Sequence, residues 1–120
     1  MNEPIFDKSG ICTIVGLFGR SFTMHTTTWN GHILKDRTRR HLRGQFRKVV
    51  DTLKNPDYIL RSPSEKNVVS YVKKFNDLYL LNTVTAIAYL YVVVNISNNN
   101  IRTVYDNPAL KNWKRIWLKK

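Results

Sequence analysis

Acidic residues are scarce in this chain. Eight Asp and Glu face twenty Lys and Arg over 120 residues, a formal charge of +12. The eight are scattered, with no two closer than four positions. Clustered carboxylates, the usual holders of a catalytic divalent ion in phosphodiester chemistry, are therefore not offered. Cysteine is scarcer still. Cys12 is the only one, which excludes an intrachain disulfide and fits a reducing, cytoplasmic setting. One cysteine and three histidines match no zinc spacing. Glycine-rich phosphate loops and the G-x-S-x-G elbow are also absent. No metal and no cofactor are expected. The opening stretch MNEPIFDKSG carries two acids and no apolar run, unlike a signal peptide.

A charge-free run from Leu78 to Ile101 meets the length criterion for a membrane span. Asn82, Thr83, Thr85, Asn95 and Ser97 interrupt it, and a run of asparagines follows. Its apolar part is rich in Tyr and Val, which favour strands. The run reads as a long strand, a turn and a short returning strand, and no stable membrane insertion is expected.

At 42% apolar content the chain suits one folded domain over residues 1–120. ICTIVGLFG and SFTMHTTT read as a hairpin joined near Gly19 and Arg20. Trp29 to Arg37 reads as a short helix capped by Thr28. A longer amphipathic helix is expected over Thr38 to Lys54, because Leu42, Phe46, Val49, Val50 and Leu53 recur at helical spacing. Pro56 ends it. YILRS, VVSYVKKF, AYLYVVVNI and IRTVYD read as strands. NDLYLLN is a connection or a further strand. The unbroken apolarity of YVVV marks a central strand covered on both faces. NPALKNWKRIWLKK reads as a C-terminal basic helix over 108–120. The expected fold class is α+β: N-terminal strands, a short helix and one amphipathic helix packed on a mainly antiparallel sheet of four to five strands, with a C-terminal helix.

The charge excess points to a polyanionic partner. It is densest in TTTWNGHILKDRTRRHLRG, which holds His32, His41, Arg37, Arg39, Arg40 and Arg43 around a single acid, Asp36. Histidine can take or give a proton near neutral pH. Arginine's planar fork matches phosphate oxygens and keeps its charge. Together these residue types suit metal-free cleavage of RNA. The ribose 2′-OH is the nucleophile, a base removes its proton, a cation steadies the phosphate, and an acid protonates the leaving oxygen. Arg40, Arg43 and Arg47 form a basic stripe on the expected helix. Thr103 and Tyr105 alternate on the last strand and so point the same way.

Taken in order, W-x-x-H-I, an amphipathic helix ending NPDYILRS, a strand with Y-x-K, YVVVNI with a turn, and I-x-T-x-Y resemble the phage-type branch of the barnase–EndoU–colicin–RelE-like RNase superfamily. The resemblance spans Trp29 to Tyr105. It implies a metal-independent endoribonuclease fold, often a toxin of a toxin–antitoxin or related conflict system, neutralised by an acidic antitoxin or immunity protein. By motif it implies His32 as the catalytic histidine, Arg61 and Lys73 as phosphate-contacting cations, and Thr103 with Tyr105 as the polar pair of the last strand. RNA contacts would come from Arg37, Arg39, Arg40, His41, Arg43 and Arg47. Members often read H-I-x-x-R-H-P where this chain reads HILKDRTRRH. His32 and His41 therefore stand as alternatives for the catalytic histidine.

Two other functions fit the same residues. One is a nucleic-acid-binding module without catalysis, with Trp29, Tyr58, Tyr71 or Tyr105 stacking bases. The other is a membrane-surface or interaction protein that uses WKRIWLKK as a basic amphipathic anchor.

Overall fold

Alternation of apolar and polar residues in ICTIV and SFTMH produces the expected hairpin. The computed structural model describes residues 3–78 and 86–119. In it β1 (Ile11–Val15) pairs antiparallel with β2 (Ser21–His25), and Cys12, Ile14, Phe22 and Met24 turn inward. A 3₁₀ turn, Leu17–Gly19, links the two strands. Gly16 precedes it where the hairpin touches the main helix. A Cβ at Gly16 would lie 2.7 Å from the Leu53 carbonyl oxygen and from the Phe22 ring.

The remaining strands are β3 (Tyr58–Arg61), β4 (Val68–Leu78), β5 (Ala86–Asn95), β6 (Asn100–Asn107) and β7 (Arg115–Leu118). They form one seven-stranded sheet in the order β1-β2-β6-β5-β4-β3-β7. All neighbours are antiparallel except β2 and β6, which meet in parallel at one pair, Thr23 and Asn100. β5 lies in the middle, and Leu90, Tyr91, Val92 and Val94 are fully buried, as YVVV implies. Asn99 closes the β5–β6 turn with φ of 56°, a conformation asparagine tolerates better than most residues.

Each face of the sheet has its own cover. Over one lies α1 (Phe46–Lys54), whose Phe46, Val49 and Leu53 pack with Val69, Tyr71, Leu90 and Val92. Trp29, Ile33 and Leu42 extend this core, with Trp29 edge-on to Phe46 at 5.6 Å. The other face carries Leu60, Val72 and Tyr91, flanked by Tyr58, Tyr89 and Tyr105. Leu110 and Trp113, from the segment between β6 and β7, pack onto that cluster.

Several expectations need correcting. The sheet has seven strands and mixed pairing rather than four to five antiparallel ones. No C-terminal helix forms. Leu110, Trp113 and Trp117 have helical spacing, but β3 presents an unpaired edge that the tail completes. Arg61 N–H donates to Lys114 O at 2.8 Å, and Lys119 N–H to Asp57 O at 3.0 Å. Long-range pairing here outweighs local propensity. The helix expected over Thr38 to Lys54 is broken at Gly44, which adopts φ of +78°. Only Arg40–Leu42 (3₁₀) and α1 are helical there. The short helix starts at Thr27, ends at Ile33, is of the wide π type and has no side-chain cap from Thr28. No helix among the described residues is long and apolar enough to cross a membrane. Part of NDLYLLN lies outside the described residues.

Candidate active-site cleft

A register irregularity shapes the site. On β5, Val93 pairs with Thr103 and Val94 with Ile101, so Arg102 is an extra residue on β6. Such a bulge re-aims side chains. Arg102 and Thr103, neighbours in sequence, both line a cleft of about 270 Å³ on the aromatic face of the sheet. Tyr105, two residues on, points the same way. Ser70 and Val93 form part of the wall, Ser62 and Glu65 part of the rim, and Trp113 closes one side. Glu65 and Arg102 form an ion pair.

His32 reaches this cleft from outside the sheet. The π-helical turn packs against β6 and β2, burying Trp29 and Ile33 and leaving His32 exposed at the cleft. Asp36 then organises the following chain. Its carboxylate accepts from Thr38 N–H at 2.8 Å and from the Thr38 hydroxyl at 2.6 Å. These two bonds, more than the Arg39 charge, hold the acid below the usual carboxylate range. Asp36 also pairs with Arg39 at 3.8 Å.

Arg39 is the hub. Its Nη1 donates to Thr103 Oγ1 at 3.0 Å, across 64 positions of sequence, and lies 3.2 Å from His32 Nε2. A guanidinium only donates, so Nε2 is the acceptor in this contact. The Arg39 guanidinium also stands 5.8 Å from the centre of the Tyr105 ring. Tyr105 stacks on Tyr91 at 4.9 Å and receives a 2.6 Å hydrogen bond from Lys111 Nζ. Burial pushes the Tyr105 phenol up to about 12, against the pull of Arg39. It remains an O–H donor throughout the physiological range.

The candidate residues fall into distinct places. His32, Thr103 and Tyr105 converge, with Arg39 binding the first two. Arg61 does not join them. It alternates along β3 with Leu60 and Ser62, which face the cleft side, so it projects from the other face. Lys73 also lies across the sheet, where its Nζ donates to Asn55 O at 3.0 Å beside the C-terminus of α1. His41 is held by Asp106, Nε2 to Oδ1 at 2.8 Å, with side chains only 8% and 4% exposed. That ring pins the arginine-rich turn to β6 and has no opening to the cleft. Arg37, Arg40, Arg43 and Arg47 are exposed, and Arg47 borders a different groove, over α1. Trp29 and Tyr71 are buried and cannot stack on a base.

Lys111 and Trp113 are not among the site residues that the sequence suggests. Both lie in the tail, whose helical spacing hid its extended path. The bulge at Arg102 has no signature in NIRTVYDN. Among the described residues, no three His, Cys, Asp or Glu side chains gather where they could hold a metal ion. Compared with protein-family models, curated proteins and solved structures, the chain finds no match.

Proposed function

We propose that this protein is a metal-independent endoribonuclease, with the His32–Arg39–Thr103–Tyr105 cleft as its active site. The observation that carries the reading is the Arg39 guanidinium bonded at once to His32 Nε2 and Thr103 Oγ1, beside a protonated phenol. A potential proton acceptor and a potential proton donor thus line one small cleft, with a phosphate-matching cation bonded to its wall.

An entering phosphate competes for the Arg39 fork and draws it off His32, freeing the Nε2 lone pair. His32 then takes the proton of the ribose 2′-OH, and the 2′-oxygen attacks phosphorus. Arg39 and the Thr103 hydroxyl hold the equatorial oxygens as charge builds on them. The P–O5′ bond breaks, and the Tyr105 O–H supplies the proton to the leaving oxygen. Proton loss from His32 to solvent and gain by Tyr105 restore the site. The products are a 2′,3′-cyclic phosphate and a 5′-hydroxyl. A reaction built only from side chains persists in EDTA. The charge of +12 suits both an RNA substrate and an acidic neutralising partner, which is the arrangement of a toxin with its antitoxin.

The test is purified protein with total RNA in EDTA, followed by His32→Ala. Cleavage is expected from the native chain, with a loss of roughly 10²-fold or more in the variant. A His32→Ala protein with full activity would remove that residue from the mechanism. One observation favours binding without catalysis: Arg39 already occupies His32 Nε2. RNA left intact after long incubation selects that reading.

A further inference from the structure

Lys111 belongs to no motif in the sequence, yet its ammonium stands among three aromatic rings. It stands 4.2 Å from the Trp113 ring centre, 4.6 Å from that of Tyr105 and 5.4 Å from that of Tyr91. The backbone around it is equally fixed. Lys111 N–H donates to the Tyr91 hydroxyl at 2.8 Å, and that hydroxyl donates to Ala109 O at 3.2 Å. Segment 108–114 is thereby stitched across the aromatic face, and Arg61 N–H fastens its far end at Lys114 O. From this strap the Nζ reaches the Tyr105 phenol oxygen at 2.6 Å.

An ammonium has three donors and no acceptor. In the Lys111–Tyr105 pair the phenol oxygen must therefore accept, and its own hydrogen is turned elsewhere. Tyr105 itself lines the cleft, together with His32, Arg102 and Thr103, whereas Lys111 is not among the lining residues. We propose that Lys111 is a positioning residue: its ammonium fixes the Tyr105 oxygen as an acceptor and aims the phenolic hydrogen into the cleft. This deepens the nuclease reading and rests on it for its catalytic consequence, but not for the geometry. Cation–π contact with three rings holds the charge in place, with the phenol as a close hydrogen-bond partner at 2.6 Å.

Two measurements test it. The first is kinetic, with Lys111→Met, which keeps the stem and removes the charge, and with Tyr105→Phe. Lys111→Met is expected to lower kcat about 10- to 100-fold while KM changes less than about threefold. Added to Tyr105→Phe it should cost nothing more, because the group it acts through is gone. Lys111→Arg, which retains charge and donors, should recover most of the loss. Multiplicative losses in the double variant would show that Lys111 contacts substrate directly and would overturn the proposal. The second measurement needs no substrate: ¹³Cζ-tyrosine NMR at neutral pH. The Tyr105 resonance should move in Lys111→Met while those of Tyr58 and Tyr71 stay in place, which also shows the variant to be folded. A stationary Tyr105 signal overturns the proposal. Absence of RNA cleavage by the native chain sinks the nuclease reading alone, and the NMR result then decides the role of Lys111.

Discussion

Arg39 and Tyr105 show how single side chains acquire roles here from their neighbours rather than from their own type. Arg39 is one of a crowd of cations, yet Asp36 on one side and Thr103 on the other make it a bridge from the arginine-rich turn to β6. Among the described residues, burial raises the phenols of Tyr71, Tyr91 and Tyr105. A raised phenol means that the folded state favours the protonated form more than the unfolded chain does. That stability is complete below pH 10, the unfolded value, and drains away as pH climbs to about 12, the folded value for Tyr105. Denaturant unfolding followed from pH 9 upward should therefore show a falling free energy, and Tyr105→Phe should make the fall shallower. A stability unchanged over that window contradicts the assignment. His32, Thr103 and Tyr105 could be read as candidates because their residue types carry the chemistry. Arg61 and Lys73 could be read as cations but not placed, since one step of strand alternation decides which face a residue serves. His41, the alternative to His32 in the sequence, is tied to Asp106 on a distant strand, which no local pattern announces.

Elements were legible where local pattern and tertiary demand agree. The β1–β2 hairpin and the asparagine-rich turn before β6 follow from apolar alternation and turn chemistry, and the central β5 from unbroken apolarity, while β4 was legible over residues 68–75 and runs on to Leu78. They failed where an edge or a glycine intervened. The tail has helical spacing, yet β3 needed a partner and the tail became β7. The expected long helix shortened because Gly44 takes a positive φ, and the freed turn is the one that delivers Arg39 to the cleft. Close approach is also an element-scale constraint. Gly16 lets the hairpin abut the last turn of α1, and the nearest obstruction is the backbone oxygen of Leu53. Gly16→Ala should cost about 1–3 kcal/mol, a melting temperature lower by roughly 4–12 °C. An unchanged melt would mean that hairpin and helix can separate freely.

For the whole molecule the dominant fact is charge. Twelve net positives favour encounter with polyanions, and much of the excess lies outside the cleft. Arg37, Arg40, Arg43 and Arg47 are exposed, and none of them lines the cleft that holds His32. Binding to single-stranded RNA that neutralises about five phosphates should weaken with a log–log salt slope near −3.5. Replacing Arg40 and Arg43 by Gln should flatten that slope by up to about 1.4 and raise KM more than it lowers kcat. A slope that stays constant would place the RNA elsewhere. The central claim is narrower than affinity: chemistry at one cleft, driven by His32 and free of metal. The most direct measurement is the 3′ end left on a single-stranded RNA after incubation in EDTA with native protein and with His32→Ala. A 2′,3′-cyclic phosphate from the native chain, and almost none from the variant, is the predicted result. Intact RNA, a 3′-hydroxyl end, or equal cleavage by both proteins contradicts it.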